Sequence, residues 1–126
     1  ALSQQEQQIT MLAISAENGC DYCVAAHTMV GKMSKVSEDT IQAIREEKPP
    51  QDPKHAALVR FSQSMLKNRG WIPEEDKKAF LDAGYTNQHV LDVITIMALK
   101  TLSNYTNHLA QTPLDDPFKE HEWTKK

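Results

Sequence analysis

The sequence is poor in the features that mark several specialised classes of protein. It has 126 residues but only two cysteines, four glycines, two tryptophans, three tyrosines and three phenylalanines. Two cysteines are too few for the disulfide framework of a small secreted protein. The longest apolar run, residues 90–102, is shorter than the roughly 18 residues of a membrane span and is interrupted by Asp92 and Lys100. Without a signal-like opening segment either, we expect a cytoplasmic protein with no membrane partner.

The sequence also lacks a basic cluster. Its formal net charge is −3, and adjacent basic residues occur only as the pairs Lys77-Lys78 and Lys125-Lys126. This argues against nucleic acid as a partner. Charged residues make up 25% and apolar residues 40% of the chain, without repeats or low-complexity tracts. We therefore expect a single domain over residues 1–126, large enough to bury a core.

Helical periodicity and capping residues predict an all-α domain of about six helices. Ser3 and Glu6 have the spacing of a capping box, and Gly19 is placed to end the first helix in the left-handed conformation. Three prolines in residues 48–53 exclude a helix there. The tail from Thr112 is expected to be irregular and docked by its aromatic residues. The predicted helices cover about residues 4–18, 20–32, 38–47, 54–69, 73–83 and 87–110.

The sixth predicted helix differs from the others because apolar residues cover nearly every side of it between positions 90 and 102. A helix that is apolar all round must be buried all round. We therefore expect this helix either to form the centre of the fold or to be covered by another subunit.

Both cysteines lie in one short motif, Cys20-Asp21-Tyr22-Cys23, with His27 four residues further on and Glu17 three residues before. If Cys20 caps the second helix, free backbone N–H groups and the helix dipole favour a thiolate there. Cys23 and His27 then share one face, about 6 Å apart along the axis, which suits a histidine base. Glu17 could orient His27 or accept a proton itself.

The motif alone leaves three alternatives open: a redox pair, half of a metal site, or inert packing. Zinc could use Glu17, Cys20, Cys23 and His27, but consecutive helical positions rarely converge tetrahedrally. Haem attachment needs a histidine directly after the second cysteine, where Val24 stands. A thioredoxin-type site needs a βαβ setting, which the pattern lacks.

The residues around this motif resemble the alkylhydroperoxidase D-like / carboxymuconolactone decarboxylase family. The likeness includes residues 18–28, the helix that contains Glu6, residues 99–109 and Thr112-Pro113-Leu114-Asp115. The resemblance implies an all-α fold, a homo-oligomer built as a trimer or hexamer, and thiol peroxidase activity without a metal or organic cofactor.

By the same resemblance, Cys23 is the peroxidatic thiol, Cys20 the resolving thiol and His27 a base acting through water. The substrate is then a hydroperoxide, and the reductant is a thioredoxin-like or lipoyl-bearing dithiol. One departure is Gln8, which stands where alkylhydroperoxidase D has a relay glutamate; part of the family instead has the Glu-Asn-x-Cys arrangement seen at Glu17.

Two other functions are weighed against the peroxidase. One is decarboxylase or lactone chemistry on small cyclic acids, which does not call for a CxxC motif. The other is a non-enzymatic oligomer that senses redox state or binds zinc. Asn104 and His108, four residues apart on the sixth helix, either approach the thiol site or form a hydrogen-bonded pair at the helix end.

Overall fold

The structure, a computed structural model, describes residues 1–126 and is entirely helical. Six α-helices are followed by a short 3₁₀-helix, which confirms the predicted fold class. The helices are α1 (Gln4–Asn18), α2 (Asp21–Met33), α3 (Glu38–Arg45), α4 (Pro53–Lys67), α5 (Glu74–Asp82) and α6 (Asn87–Ala110), with the 3₁₀-helix at Asp116–His121. None of them is long and apolar enough to cross a membrane.

Local signals in the sequence set the helix ends. Ser3 and Glu6 form the predicted capping box, and Gly19 takes the left-handed conformation that ends α1. The predicted bounds of α6 are those observed, whereas α3 and α4 end two residues earlier than expected. The expected irregular tail is partly ordered as the 3₁₀-helix, and Trp123 beyond it is buried.

The centre of the fold is α1, which packs against α2, α3, α4 and α6. Ile9, Leu12, Ala13 and Ile14 are almost completely buried on it. Three aromatic rings stack on one another in the core. Phe61 of α4 stacks on Phe80 of α5, and Phe80 stacks on Tyr85, at centroid separations of 4.1 and 4.4 Å. Burial of such rings contributes a large share of the hydrophobic stabilisation of a small core.

Of the two alternatives expected for α6, the first is wrong, since α6 is not the centre of the fold, and the second stays a prediction. Only four of its residues are buried, along one stripe: Val93, Ile96, Lys100 and Asn104. Its other side exposes large apolar side chains to solvent, namely Leu91, Ile94, Leu99, Leu102, Tyr105 and Leu109. The domain alone therefore leaves part of the apolar surface of α6 exposed to solvent.

Candidate active site

The two cysteines lie where α2 begins. Gly19 turns the chain out of α1, and Cys20 is the N-cap of α2, as predicted. Its Sγ accepts a hydrogen bond from the backbone N–H of Cys23 at 3.3 Å. Cys20 and Cys23 are joined as a disulfide, with their Cα atoms 5.3 Å apart. The sulfurs therefore lie at the positive end of the α2 dipole, which favours a thiolate once the disulfide is reduced.

A surface cleft of about 350 Å³ opens onto this disulfide from the Cys20 side. The cleft lies between the start of α2 and the end of α6, and its walls include Tyr22, Asn107 and His108. Both cysteines are buried, with 3% of Cys20 and 2% of Cys23 exposed. Cys20 lines the cleft and Cys23 does not.

Asn107 of α6 reaches the other sulfur. Its Nδ2 lies 3.6 Å from Sγ of Cys23, while its Oδ1 accepts a hydrogen bond of 2.8 Å from Oγ1 of Thr112. The threonine contact fixes the amide so that its N–H faces the sulfur. A donor in this position stabilises negative charge on Cys23.

His27 lies one turn after Cys23, but it makes no hydrogen bond to either sulfur. Its Nδ1 is 2.9 Å from Oε1 of Gln8 on α1, and its Nε2 is 2.8 Å from Nζ of Lys100 on α6. A lysine ammonium can only donate, so Nε2 is the acceptor and Nδ1 carries the hydrogen that is donated to Gln8. Burial, and then the charge of Lys100, lower the pKa of His27 to about 4. The imidazole is therefore neutral at neutral pH.

Lys100 is itself buried, with only 7% of its surface exposed. Burial lowers its pKa to about 8. From the sequence, Lys100 is only an interruption of the apolar run in α6, with no predicted role. A signal was present: Val93, Ile96, Lys100, Asn104 and Asn107 follow helical spacing, so the polar members extend the buried stripe.

Glu17 lies apart from the thiol site. Its carboxylate is 3.5 Å from Nζ of Lys67 on α4, and it makes no hydrogen bond to His27 or to either cysteine. The structure brings together no group of three or more His, Cys, Asp or Glu side chains that could hold a metal ion. A relay role for Glu17 stays a prediction.

Asn104 and His108 do not pair with each other. Asn104 is buried and joins α6 to α1 by accepting from Asn18 at 3.0 Å and donating to Ser15 at 3.1 Å. His108 lies in the wall of the cleft near Cys20. Of the two predicted residues, His108 thus approaches the thiol site, whereas Asn104 holds the helices together beside it.

Comparisons with known proteins agree with this architecture. Residues 1–51 match the model of the carboxymuconolactone decarboxylase family. The fold is similar to a crystal structure described as the alkylhydroperoxidase AhpD core, an uncharacterized peroxidase-related protein from Ralstonia eutropha JMP134, with 26% identity and a TM-score of 0.82 over 94% of this chain. It is also similar to a peroxidase-related protein from Silicibacter sp. TM1040, with 17% identity and a TM-score of 0.80 over 93% of this chain.

The fold is alkylhydroperoxidase D-like, as the resemblance implied. The match to the carboxymuconolactone decarboxylase family model supports the predicted resemblance over residues 1–51 of the 126. The chain spans 63% and 62% of the lengths of the two solved structures. No curated protein matches the sequence.

Proposed function

We propose that the protein is an antioxidant thiol peroxidase that reduces hydroperoxides through its CxxC pair. The observation that carries this proposal is the disulfide between Cys20 and Cys23 at the N-terminus of α2, below an open cleft. A disulfide within one helical turn can open and close with little movement of the backbone. The peroxidase-related name of the Ralstonia eutropha structure adds support.

In the proposed cycle the Cys23 thiolate attacks the O–O bond of the hydroperoxide. The terminal oxygen stays on sulfur with its hydrogen as a sulfenic acid, and the other oxygen leaves as the alcohol, taking up the proton that Cys23 gave up on ionisation. The Cys20 thiol then condenses with the sulfenic acid, releasing water and forming the Cys20–Cys23 disulfide. We assign His27 as the base acting through water, a role that requires its Nε2 to exchange the Lys100 contact for that water, because Nδ1 donates to Gln8.

An external dithiol, either a thioredoxin-like or a lipoyl-bearing protein, returns the pair to the reduced form. We assign Cys20 as the sulfur that this dithiol attacks, because Cys20 lines the cleft. Cys23 then leaves as a thiolate, and the N–H of Asn107 stabilises its charge. Exchange is faster when the leaving sulfur is the more acidic one. A cycle of this kind suits the reducing cytoplasm.

The exposed apolar face of α6 supports a proposal about assembly. Leu102 is 68% and Leu109 is 83% exposed, and they lie on the same helix as four other exposed large apolar residues. An apolar face of this kind marks an interaction site on a protein surface. We propose that further copies of the chain cover it in a trimer or hexamer.

The peroxidase proposal is tested by adding hydroperoxide to reduced protein and counting free thiols. We expect the wild type to lose both thiols and form the disulfide. The Cys20→Ser variant should stop at a sulfenic acid that dimedone traps, and Cys23→Ser should keep its thiol. The proposal is wrong if wild-type thiols survive a hydroperoxide concentration that readily oxidises a low-pKa model thiol.

The family match favours one other function, since the matching model is named for a decarboxylase. Such chemistry on a small cyclic acid does not require the cysteines. Turnover of a muconolactone by a variant in which both cysteines are replaced by serine would establish this alternative over the peroxidase.

A further inference from the structure

We propose that Lys100 is a positioning residue of the thiol site: its buried ammonium is the counter-ion of the thiolate that forms on Cys23 when the disulfide is reduced. The inference deepens the proposed function and rests on it. It assigns a role to a residue that lies on a different helix from the CxxC motif and 77 positions after Cys23 in the sequence.

The first observation is that this buried cation has no anionic partner. Nζ of Lys100 makes one side-chain hydrogen bond, to the neutral His27, and no carboxylate lies within 4 Å of it. A charge buried in this way is costly unless an anion compensates it. A neighbouring group that becomes negative in another state of the protein would offset this cost.

The neighbouring helices offer few such groups, because their charged side chains are engaged elsewhere. On α1, Glu6 accepts from Tyr85 and Glu17 pairs with Lys67. On α2, Asp21 is exposed at the surface.

On α4, Lys54 lies over the Tyr85 ring and Arg60 pairs with Asp76. On α6 itself, Asp92 pairs with the N-terminal amine. Among groups that can become negative, Cys23 lies on the same face of α2 as His27, the contact of Lys100.

The second observation is the way in which α2 and α6 meet. They touch at two polar points, His27 with Lys100 and Cys23 with Asn107. Cys23 and His27 are four residues apart on one face of α2, which is about 6 Å along the helix axis. The Cys23 sulfur is therefore within one to two helical turns of the ammonium, in surroundings that screen charge poorly.

Reduction of the disulfide supplies the missing anion. A dithiol reductant gives two electrons to the S–S bond and becomes a disulfide, while Cys20 receives one proton as a thiol. Cys23 remains a thiolate, and the second proton of the reductant goes to solvent. Lys100 thereby gains a counter-ion without changing its own protonation state, and His27 stays neutral between the two charges.

The test measures the acidity of Cys23 without any hydroperoxide. In a Cys20→Ser background, the rate of alkylation by iodoacetamide is followed against pH for Lys100, Lys100→Met and Lys100→Arg. We expect Lys100→Met to lower the rate at neutral pH by tenfold or more and to leave the limiting rate at high pH unchanged. Lys100→Arg should restore most of the rate, since it keeps the charge. Lys77→Met, at an exposed position, is the matched control.

The proposal is overturned if Lys100→Met leaves the titration curve of Cys23 where it was. It is also overturned if a folded Lys100→Arg variant behaves like Lys100→Met, because packing rather than charge would then explain the loss. Melting curves of all variants verify folding. Failure of the wild type to consume hydroperoxide would remove the peroxidase proposal and leave the alkylation result standing, so the two failures are distinguishable.

Discussion

Gln8 on α1 and His27 on α2 are joined by a hydrogen bond of 2.9 Å between Oε1 and Nδ1. Gln8 stands where the resemblance placed a relay glutamate, and an amide cannot relay a proton. It can accept the hydrogen on Nδ1, and this fixes Nε2 as the nitrogen with the lone pair, which accepts from Lys100. Gln8 therefore orients the imidazole rather than exchanging protons with it.

This relationship predicts the effect of Gln8→Glu. A carboxylate in contact with Nδ1 should raise the pKa of His27 from about 4 by roughly one to three units. The measurement is an NMR titration of the His27 ring in both forms. Gln4→Glu adds the same charge at an exposed position of α1 and should have no effect. An unchanged His27 pKa in Gln8→Glu would show that the two side chains are not in contact in solution.

The sequence predicted those parts of the site that depend on neighbours along the chain. The cap at Cys20, the left-handed Gly19 and the Ser3 capping box each involve residues within four positions of one another, so spacing is sufficient. The partners of His27 were not predictable in this way. Gln8 and Lys100 reach it from two other helices, and their approach depends on how α1, α2 and α6 pack.

The position of α6 illustrates a second limit of prediction from sequence. Its bounds follow from propensity and capping, and they were predicted correctly. Its burial depends on which face the other helices cover. A helix that is apolar on every side does not indicate which face that is. The polar residues Lys100, Asn104 and Asn107 contain more information than the apolar ones, because they mark the face that packs against α1 and α2.

The low pKa of His27 predicts a loss of stability in mild acid. The unfolded chain binds a proton on this histidine near pH 6.5, whereas the folded protein does so only near pH 4. Lowering the pH through this interval therefore favours the unfolded state, by about 3 kcal/mol in all. Urea unfolding at a series of pH values measures the effect.

Comparison with a variant isolates the histidine from the carboxylates that also titrate in acid. The difference in free energy of unfolding between wild type and His27→Gln should shrink or change sign as the pH falls from 6.5 to 4. His108→Gln, at an exposed position without a hydrogen bond, should follow the wild type. A difference between wild type and His27→Gln that does not vary with pH would contradict the low pKa.

Arg45 on α3 anchors the C-terminal tail, which predicts a second effect on stability. Its guanidinium donates to Thr28 Oγ1 and to the backbone oxygens of His121 and Glu122, and its own carbonyl accepts from the Trp123 indole. Arg45→Met should cost about 2 to 3 kcal/mol, since several charge-assisted hydrogen bonds are lost.

Trp123 fluorescence reports directly whether the C-terminal tail stays docked when these hydrogen bonds are lost. In a Trp71→Phe background, which removes the exposed tryptophan, Arg45→Met should shift the emission of the buried Trp123 to longer wavelength. Arg45→Lys keeps the charge without the planar fork and should give an intermediate shift. Emission that stays at the wild-type wavelength in Arg45→Met would mean that the tail docks through its aromatic residues alone.

The apolar face of α6 predicts the response of the assembly to a single charge. Leu102→Glu places a carboxylate in the middle of that face, and burying it against a second copy would be strongly unfavourable. Sedimentation equilibrium should therefore give an oligomer for the wild type and a smaller species for Leu102→Glu. Met33→Glu is the control, because Met33 is 69% exposed and is the last residue of α2. If the wild type sediments as a single chain, no second copy covers the α6 face. If wild type and Leu102→Glu form oligomers of equal mass, the interface lies elsewhere.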